Sequence, residues 1–167
     1  AMRAQGTKIS FDPNVRTEHL TNPTKSKECF DIIHSVLSIT SIFEPGMDEL
    51  LLITGEKDVD AAVKKCFENE SLEILMLKMG SKGTRVFTRD GKVTDQGLFT
   101  VTSKDPTGAG DTSDAAFLCS LLEGRSIEES SKRAAAAGAI NVMAFGPMEG
   151  RISPENIDRM IAGTFTA

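Results

Sequence analysis

Asp105-Pro106-Thr107-Gly108-Ala109-Gly110-Asp111-Thr112-Ser113 is the stretch on which the reading turns, because it runs straight into an Ala- and Leu-rich segment ending at Leu122. Gly108, Ala109 and Gly110 place small residues at the mouth of a predicted helix that Gly124 stops. Such a mouth points successive backbone N–H groups outward at the positive end of the helix dipole, and an anion can approach them closely. Asp111 sits inside that turn. A carboxylate is unwelcome beside a bound phosphate unless it has a task, such as accepting a proton from an attacking hydroxyl. An Asp in a first helical turn is also worth about 0.3–1 kcal/mol through the dipole alone, so spacing by itself leaves both readings open. The familiar phosphate fingerprints do not fit. GxxxxGK[ST] is absent and the third glycine of GxGxxG is missing, which disfavours a P-loop NTPase or an ordinary dinucleotide fold.

Outward from this turn, strand and helix patterns alternate. Thr7 to Phe11 reads as a strand closed by Asp12-Pro13-Asn14, and Phe30, Ile33, Val36 and Leu37 recur at helical spacing behind a candidate cap at Thr24. Thr40 to Phe43 is a second strand, and Pro45-Gly46 turns the chain into a helix from Met47 to Ile53 stopped by Gly55. A further helix carries Val59, Ala62, Val63, Cys66 and Phe67 on one face. Glu73 to Lys78 is mostly apolar, with Ile74, Leu75, Met76 and Leu77 in a row, as a strand covered on both faces of a parallel sheet would be. After Gly80-Ser81-Lys82-Gly83 come a strand from Thr84 to Arg89, a hairpin turn at Asp90-Gly91, and short strand-like runs at Lys92 to Thr94 and Leu98 to Val101. Ser126-Ile127-Glu128-Glu129 is a capping box, and the small-residue run from Ala134 to Ala139 predicts close helix packing. Ser153-Pro154-Glu155 opens a last helix with Ile157, Met160 and Ile161. The alternation predicts an α/β fold with a mostly parallel sheet and helices on both faces, whose ligands sit beyond the carboxyl ends of the strands.

The composition excludes other classes. With 40% hydrophobic and 26% charged residues the chain can form a core, so disorder is ruled out. Its 19 Lys and Arg against 24 Asp and Glu give a net charge of -5, which argues against nucleic acid as a partner. The fifteen residues without formal charge from Ala134 to Met148 are interrupted by Gly138, Asn141, Gly146 and Pro147, so no membrane span is read. Cys29, Cys66 and Cys119 lie far apart and read as buried free thiols. His19 and His34 have no partners in a triad or metal pattern and read as surface or core-edge residues; the methionines read as packing.

These segments, in this order, resemble the ribokinase-like (PfkB) carbohydrate kinases. The family signature is an Asp-Thr-x-Gly-Ala-Gly-Asp turn followed by a small residue and Phe; here Pro106 replaces the Thr and Ser113 the Phe. The resemblance implies that Asp111 is the catalytic base and that the N–H groups of Gly108, Ala109 and Gly110 form an anion hole. Asp12, Asn14 and Arg16 match the family's Asp-x-Asn-x-Arg segment, whose Arg reaches toward substrate and phosphate. Lys78, Gly80, Ser81 and Gly83 match the turn that contacts the nucleotide, and Gly138 lies near the adenine, with Ala135 where some members place a polar residue. Glu49 matches the Asn-x-x-Glu motif that orders Mg²⁺ through water, although Gly46 stands in place of the Asn. Asp105 and Thr107, with Ala144 and Gly146, lie where some members bind a monovalent cation such as K⁺.

What the resemblance implies is a three-layer α/β/α sandwich of which residues 1–167 are the carboxyl-terminal, nucleotide-binding portion, with the amino-terminal half and its lid absent. The expected function is ATP-dependent phosphorylation of a sugar or sugar-acid hydroxyl, of the 2-keto-3-deoxygluconate kinase or fructokinase type. Little activity is expected without the other half. A nucleoside kinase of the same superfamily is the nearest alternative, and a non-catalytic nucleotide-binding module is the rival from another class. ATP, Mg²⁺ and a small carbohydrate are the expected partners, the full-length form is expected to be a homo-oligomer, and the cytoplasm is the expected setting.

Overall fold

The computed structural model of the chain describes residues 5–15 and 26–166. These fall into two units, one made of the residues up to Gly80 with Arg85–Val93, the other of Ser81–Thr84 with the residues from Thr94 onward. The predicted cap Thr24, Arg16 and His19 lie outside the described residues.

In the first unit β1 (Ser10–Phe11), α1 (Ser26–Leu37), β2 (Ile42–Phe43), α2 (Met47–Thr54), α3 (Val59–Cys66) and β3 (Ile74–Lys78) follow one another. β1 pairs in parallel with β2, Phe11 opposite Phe43, and β2 in parallel with β3, Phe43 opposite Leu75. Parallel neighbours require crossovers, and helices fill them. With β4 (Thr84–Thr88) and β5 (Val93–Gln96) the sheet runs β1-β2-β3-β4-β5. Leu75, Met76 and Leu77 are wholly buried, as their unbroken apolar run predicts. Phe43, Leu50, Ile53, Ala62, Leu72, Leu75 and Leu77 form the core of this unit.

Beyond the short strands the ladder continues: the Glu44 N–H donates to the Phe11 carbonyl at 3.0 Å, and the Lys78 N–H to the Pro45 carbonyl at 2.9 Å. Three strand ends are thereby held side by side. The α2 helix starts there because Gly46 is its N-cap in extended conformation and Glu49, three residues on, returns a carboxylate to the Gly46 N–H.

In the second unit α4 (Ala109–Leu122) and α5 (Ile127–Val142) pack against each other, and α6 (Pro154–Ile161) packs on α5. The caps are those the sequence predicts: Ser126 Oγ accepts the Glu129 N–H and Ser153 Oγ the Asn156 N–H, each at 3.2 Å. Every residue from Ala134 to Asn141 is buried, so the small-residue run is indeed a packing face.

Several strand predictions differ from the structure: the strand read over Thr40–Phe43 is Ile42–Phe43, and that over Lys92–Thr94 is Val93–Gln96. The strand expected over Thr7–Phe11 is reduced to Ser10–Phe11, though the Ile9 carbonyl still accepts the Ser41 and Ile42 N–H groups. Leu98 to Val101 is not a strand; Phe99 and Val101 pack against the cluster of Ala136, Ile140, Ile157 and Met160 instead. Alternation marks which side chains are buried, not whether a backbone partner lies alongside. The cysteine reading also needs correction. The thiols are free, but only Cys66 is buried; Cys29 is half-buried and Cys119 exposed. His34 is an exposed surface residue, its Nε2 3.0 Å from the Ile53 carbonyl and its ring on Phe30. Among the described residues no helix is long and apolar enough to cross a membrane.

Candidate functional site

The glycine turn of the second unit is held from several sides. Gly108, the N-cap of α4, has φ 78, and a Cβ on it would lie 2.2 Å from the Pro147 carbonyl oxygen, so only glycine fits. No side chain caps the helix mouth. The Asp105 carboxylate accepts the Thr107 N–H at 2.9 Å and the Gly146 N–H at 3.0 Å, while Asn141 Nδ2 donates to the Thr107 carbonyl at 2.8 Å. Hydrogen bonds from the Thr107 side chain first, then from the Thr107 and Gly146 backbone, hold the Asp105 carboxyl below the usual carboxylate range. Asp105 and Thr107, expected at a cation site, are thus bonded into the turn itself. Of the expected anion-hole donors, the Ala109 N–H is engaged, in a long 3.2 Å bond to the Pro106 carbonyl.

Gly138, expected near an adenine, has a role in packing: a Cβ there would lie 2.5 Å from Ser113 Oγ and 3.4 Å from the Ala109 carbonyl. α5 therefore presses directly on the first turn of α4. Asp111 itself is exposed, and with Thr112, Ala115, Cys119, Arg133 and Met148 it lines a mostly apolar cavity of about 570 Å³. Arg133 is buried and ion-paired with Asp158.

The first unit gathers a second set of expected residues at its strand ends. Lys78 Nζ lies 2.9 Å from Asp12 Oδ2, and Asp12 Oδ1 accepts the Asn14 N–H at 3.1 Å in a turn that gives Asn14 a positive φ of 41. The Glu49 carboxylate accepts two backbone N–H groups, from Gly46 at 2.7 Å and from Val15 at 2.6 Å. Gly46, Glu49, Lys78 and Gly80 line a cavity of about 420 Å³. Gly80 opens a one-turn 3₁₀ helix, Gly80–Lys82. In the second unit Ser81 is exposed, and Gly83 lies so close to the Gln96 carbonyl that a Cβ would be 2.1 Å from it.

Two residues of these clusters escaped the sequence reading. Glu44, directly after β2, is 1% exposed and accepts a hydrogen bond from Ser10 Oγ; its other oxygen has no hydrogen-bond partner among the described residues. Burial pushes its carboxyl up to about 7 against the opposing effects of Ser10 and Lys78. Asn141 is the other. Both carried a readable signal, a polar side chain closing an apolar run at Glu44 and interrupting one at Asn141, but nothing local said what each would touch.

Taken together, the parallel strands, the crossover helices and the uncapped helix mouth with a carboxylate in its first turn define an open-sheet α/β protein. The chain belongs to the pfkB family of carbohydrate kinases, whose family model matches residues 1–154. It is 27% identical over 168 residues to a 2-dehydro-3-deoxygluconokinase of Bacillus subtilis, covering 99% of this chain and 50% of that protein. An E. coli protein assigned provisionally as ribokinase II, solved in complex with ATP and Mg²⁺, is 31% identical with a TM-score of 0.88, over 96% of this chain and 50% of that one. The Vibrio cholerae fructokinase double mutant, solved with fructose, ADP and potassium, shares the fold at TM-score 0.84 and 22% identity, over 96% and 52% of the two chains. The chain spans about half the length of the curated relatives it matches.

Proposed function

We propose that the chain is the carboxyl-terminal, nucleotide-binding portion of an ATP-dependent kinase that phosphorylates a hydroxyl of a sugar or sugar acid. One observation carries the reading: the Asp111 carboxylate is exposed in the first turn of α4, beside a helix mouth without a side-chain cap and in front of an open cavity. Family membership supports the reaction class. Relatives named 2-dehydro-3-deoxygluconokinase and fructokinase support a sugar acid or hexose as substrate.

In this reading Asp111 accepts the proton of the attacking hydroxyl. A new O–P bond forms at the γ-phosphorus, the bond to the bridging oxygen breaks, and ADP leaves. The N–H groups of Gly108, Gly110 and, once released from Pro106, Ala109 stabilise the charge on the transferring group. In the first unit Lys78 contributes a cation for phosphate, Asp12 holds that cation in place, and Asn14 and Arg16 contribute to substrate binding. Mg²⁺, when bound, neutralises phosphate charge. Glu49 suits a water-mediated role toward it, because direct ligation would compete with the two backbone N–H groups its carboxylate already accepts. K⁺, when bound, would share the Thr107 carbonyl with Asn141, whose hydrogen bond uses one of its two lone pairs. A supply of ATP makes the cytoplasm the setting.

The test is turnover of MgATP with 2-keto-3-deoxygluconate, fructose, ribose and a nucleoside, on the protein expressed with any native flanking sequence. Asp111→Ala lowers turnover by about 10²–10⁴-fold while ATP still binds. Unchanged turnover removes Asp111 as the base. Phosphorylation of the nucleoside alone assigns a nucleoside kinase, and ATP binding with no substrate phosphorylated leaves a nucleotide-binding module.

A further inference from the structure

Glu44 is a buried acid that the reaction described above does not use. Backbone pairing fixes its place: its N–H is bonded to Phe11, the residue before Asp12, and its neighbour Pro45 accepts the Lys78 N–H. Three ionisable side chains from adjacent strand ends therefore face one another, two acids and one ammonium. Asp12 and Lys78 are paired at 2.9 Å, and among the described residues Lys78 is the cation that acts on Glu44, beside the second acid Asp12. Ser10 Oγ donates to one Glu44 oxygen, and the other has no hydrogen-bond partner among the described residues. The carboxylate of the nearby helix start, Glu49, is turned to the backbone of Gly46 and Val15. The groups that act on Glu44 are thus Ser10 and Asp12 from the β1 side and Lys78 from β3.

We propose that Glu44 is a positioning residue for Lys78, a buried acid whose protonation is coupled to the binding of a phosphate anion at the ends of β1, β2 and β3. The proposal rests on the reading of Lys78 as a nucleotide-phosphate contact. With Glu44 protonated, the cluster of Asp12, Lys78 and Glu44 is neutral and the ammonium can serve an incoming anion. With Glu44 ionised the cluster carries a net negative charge, and an anion is repelled at close range in a poorly solvated place. By reciprocity the anion, once bound, favours the protonated acid, and the proton comes from solvent.

The experiment is calorimetric titration of the protein with MgATP at pH 6.0, 7.0 and 8.5, in buffers of differing ionisation enthalpy so that protons taken up are counted. The expected result is an affinity about fivefold or more weaker at pH 8.5 than at pH 6.0, with net proton uptake near pH 7.5. Glu44→Gln should hold the affinity of the acid limb across the range and lose that uptake; titration of ATP itself is common to both proteins and cancels. The same pH profile and proton count in a folded Glu44→Gln protein overturns the proposal. Should that variant not fold, carbon-13 NMR of the Glu44 carboxyl in the unmutated protein decides. An upward shift of its titration on adding MgATP supports the coupling, and an unmoved titration refutes it. Failure of MgATP to bind at any pH would instead bring down the nucleotide reading itself, and the proposal with it.

Discussion

Asn141 donates its side-chain N–H to the carbonyl of Thr107 at 2.8 Å, across the 34 residues that separate them, and so ties α5 to the turn that opens α4. Thr107 is held at both ends, since Asp105 accepts its N–H. A turn gripped in this way has its backbone held from both sides.

Asn141→Ala removes the hydrogen bond from a buried side chain to the exposed Thr107, and the expected loss of stability is about 0.5–1.5 kcal/mol by urea denaturation. Asn141→Asp should cost more, because it sets an acceptor against an acceptor. A change under about 0.5 kcal/mol for the Ala variant would mean that the bond does not hold the turn.

Gly108 and Gly124 share φ 78 but not their surroundings. Nothing lies within 4 Å of a Cβ on Gly124, whereas one on Gly108 meets the Pro147 backbone. Gly124→Ala should cost only the left-handed penalty, about 1–2 kcal/mol. Gly108→Ala should cost about 1–3 kcal/mol beyond that, because backbone must move. Thermal melts of the two variants side by side make the comparison, and equal losses would contradict the packing given for Gly108.

The stability of the fold should fall as pH rises. Glu44 titrates near 7 in the folded chain and at about 4.5 when exposed, so between these values the folded state binds the extra proton. Its contribution is fully present below pH 4.5 and lost as pH passes through 7, by about 3 kcal/mol in all at ~1.4 kcal/mol per unit. Unfolding free energies measured at pH 5 and pH 8 should differ in this direction, and Glu44→Gln should shrink the difference.

Cysteine labelling should follow exposure and acidity. Cys119 is exposed, while burial pushes the Cys66 thiol up to about 12. A thiol-disulfide reagent at pH 8 should modify Cys119 quickly and Cys66 only on unfolding. Rapid modification of Cys66 in the folded chain would show that its part of the core opens readily.

The legible parts of the fold were those whose cause lies within a few residues. Ser126 and Ser153 cap helices because each side chain meets an N–H three residues on, and Gly55 ends α2 in the left-handed conformation its lack of a Cβ allows. The run from Ile74 to Leu77 announced a strand covered on both faces. The glycine turn before Asp111 was visible for the same reason, since a mouth of small residues is a local property. Leu98 to Val101 misled because alternation reports burial, and the partner of a strand is chosen elsewhere in the chain.

From its order of residues alone, this protein declared an α/β alternation, the helix caps, and a helix entrance of small residues with a carboxylate inside it. Contacts between distant segments settled the rest: that Pro147 excludes any side chain at Gly108, that Asn141 secures Thr107, and that Asp12, Glu44 and Lys78 meet at three strand ends. Local sterics and hydrogen bonding need only near neighbours, whereas the burial that raises Glu44 and the pairing that fixes Lys78 exist only once parallel strands 32 residues apart lie side by side.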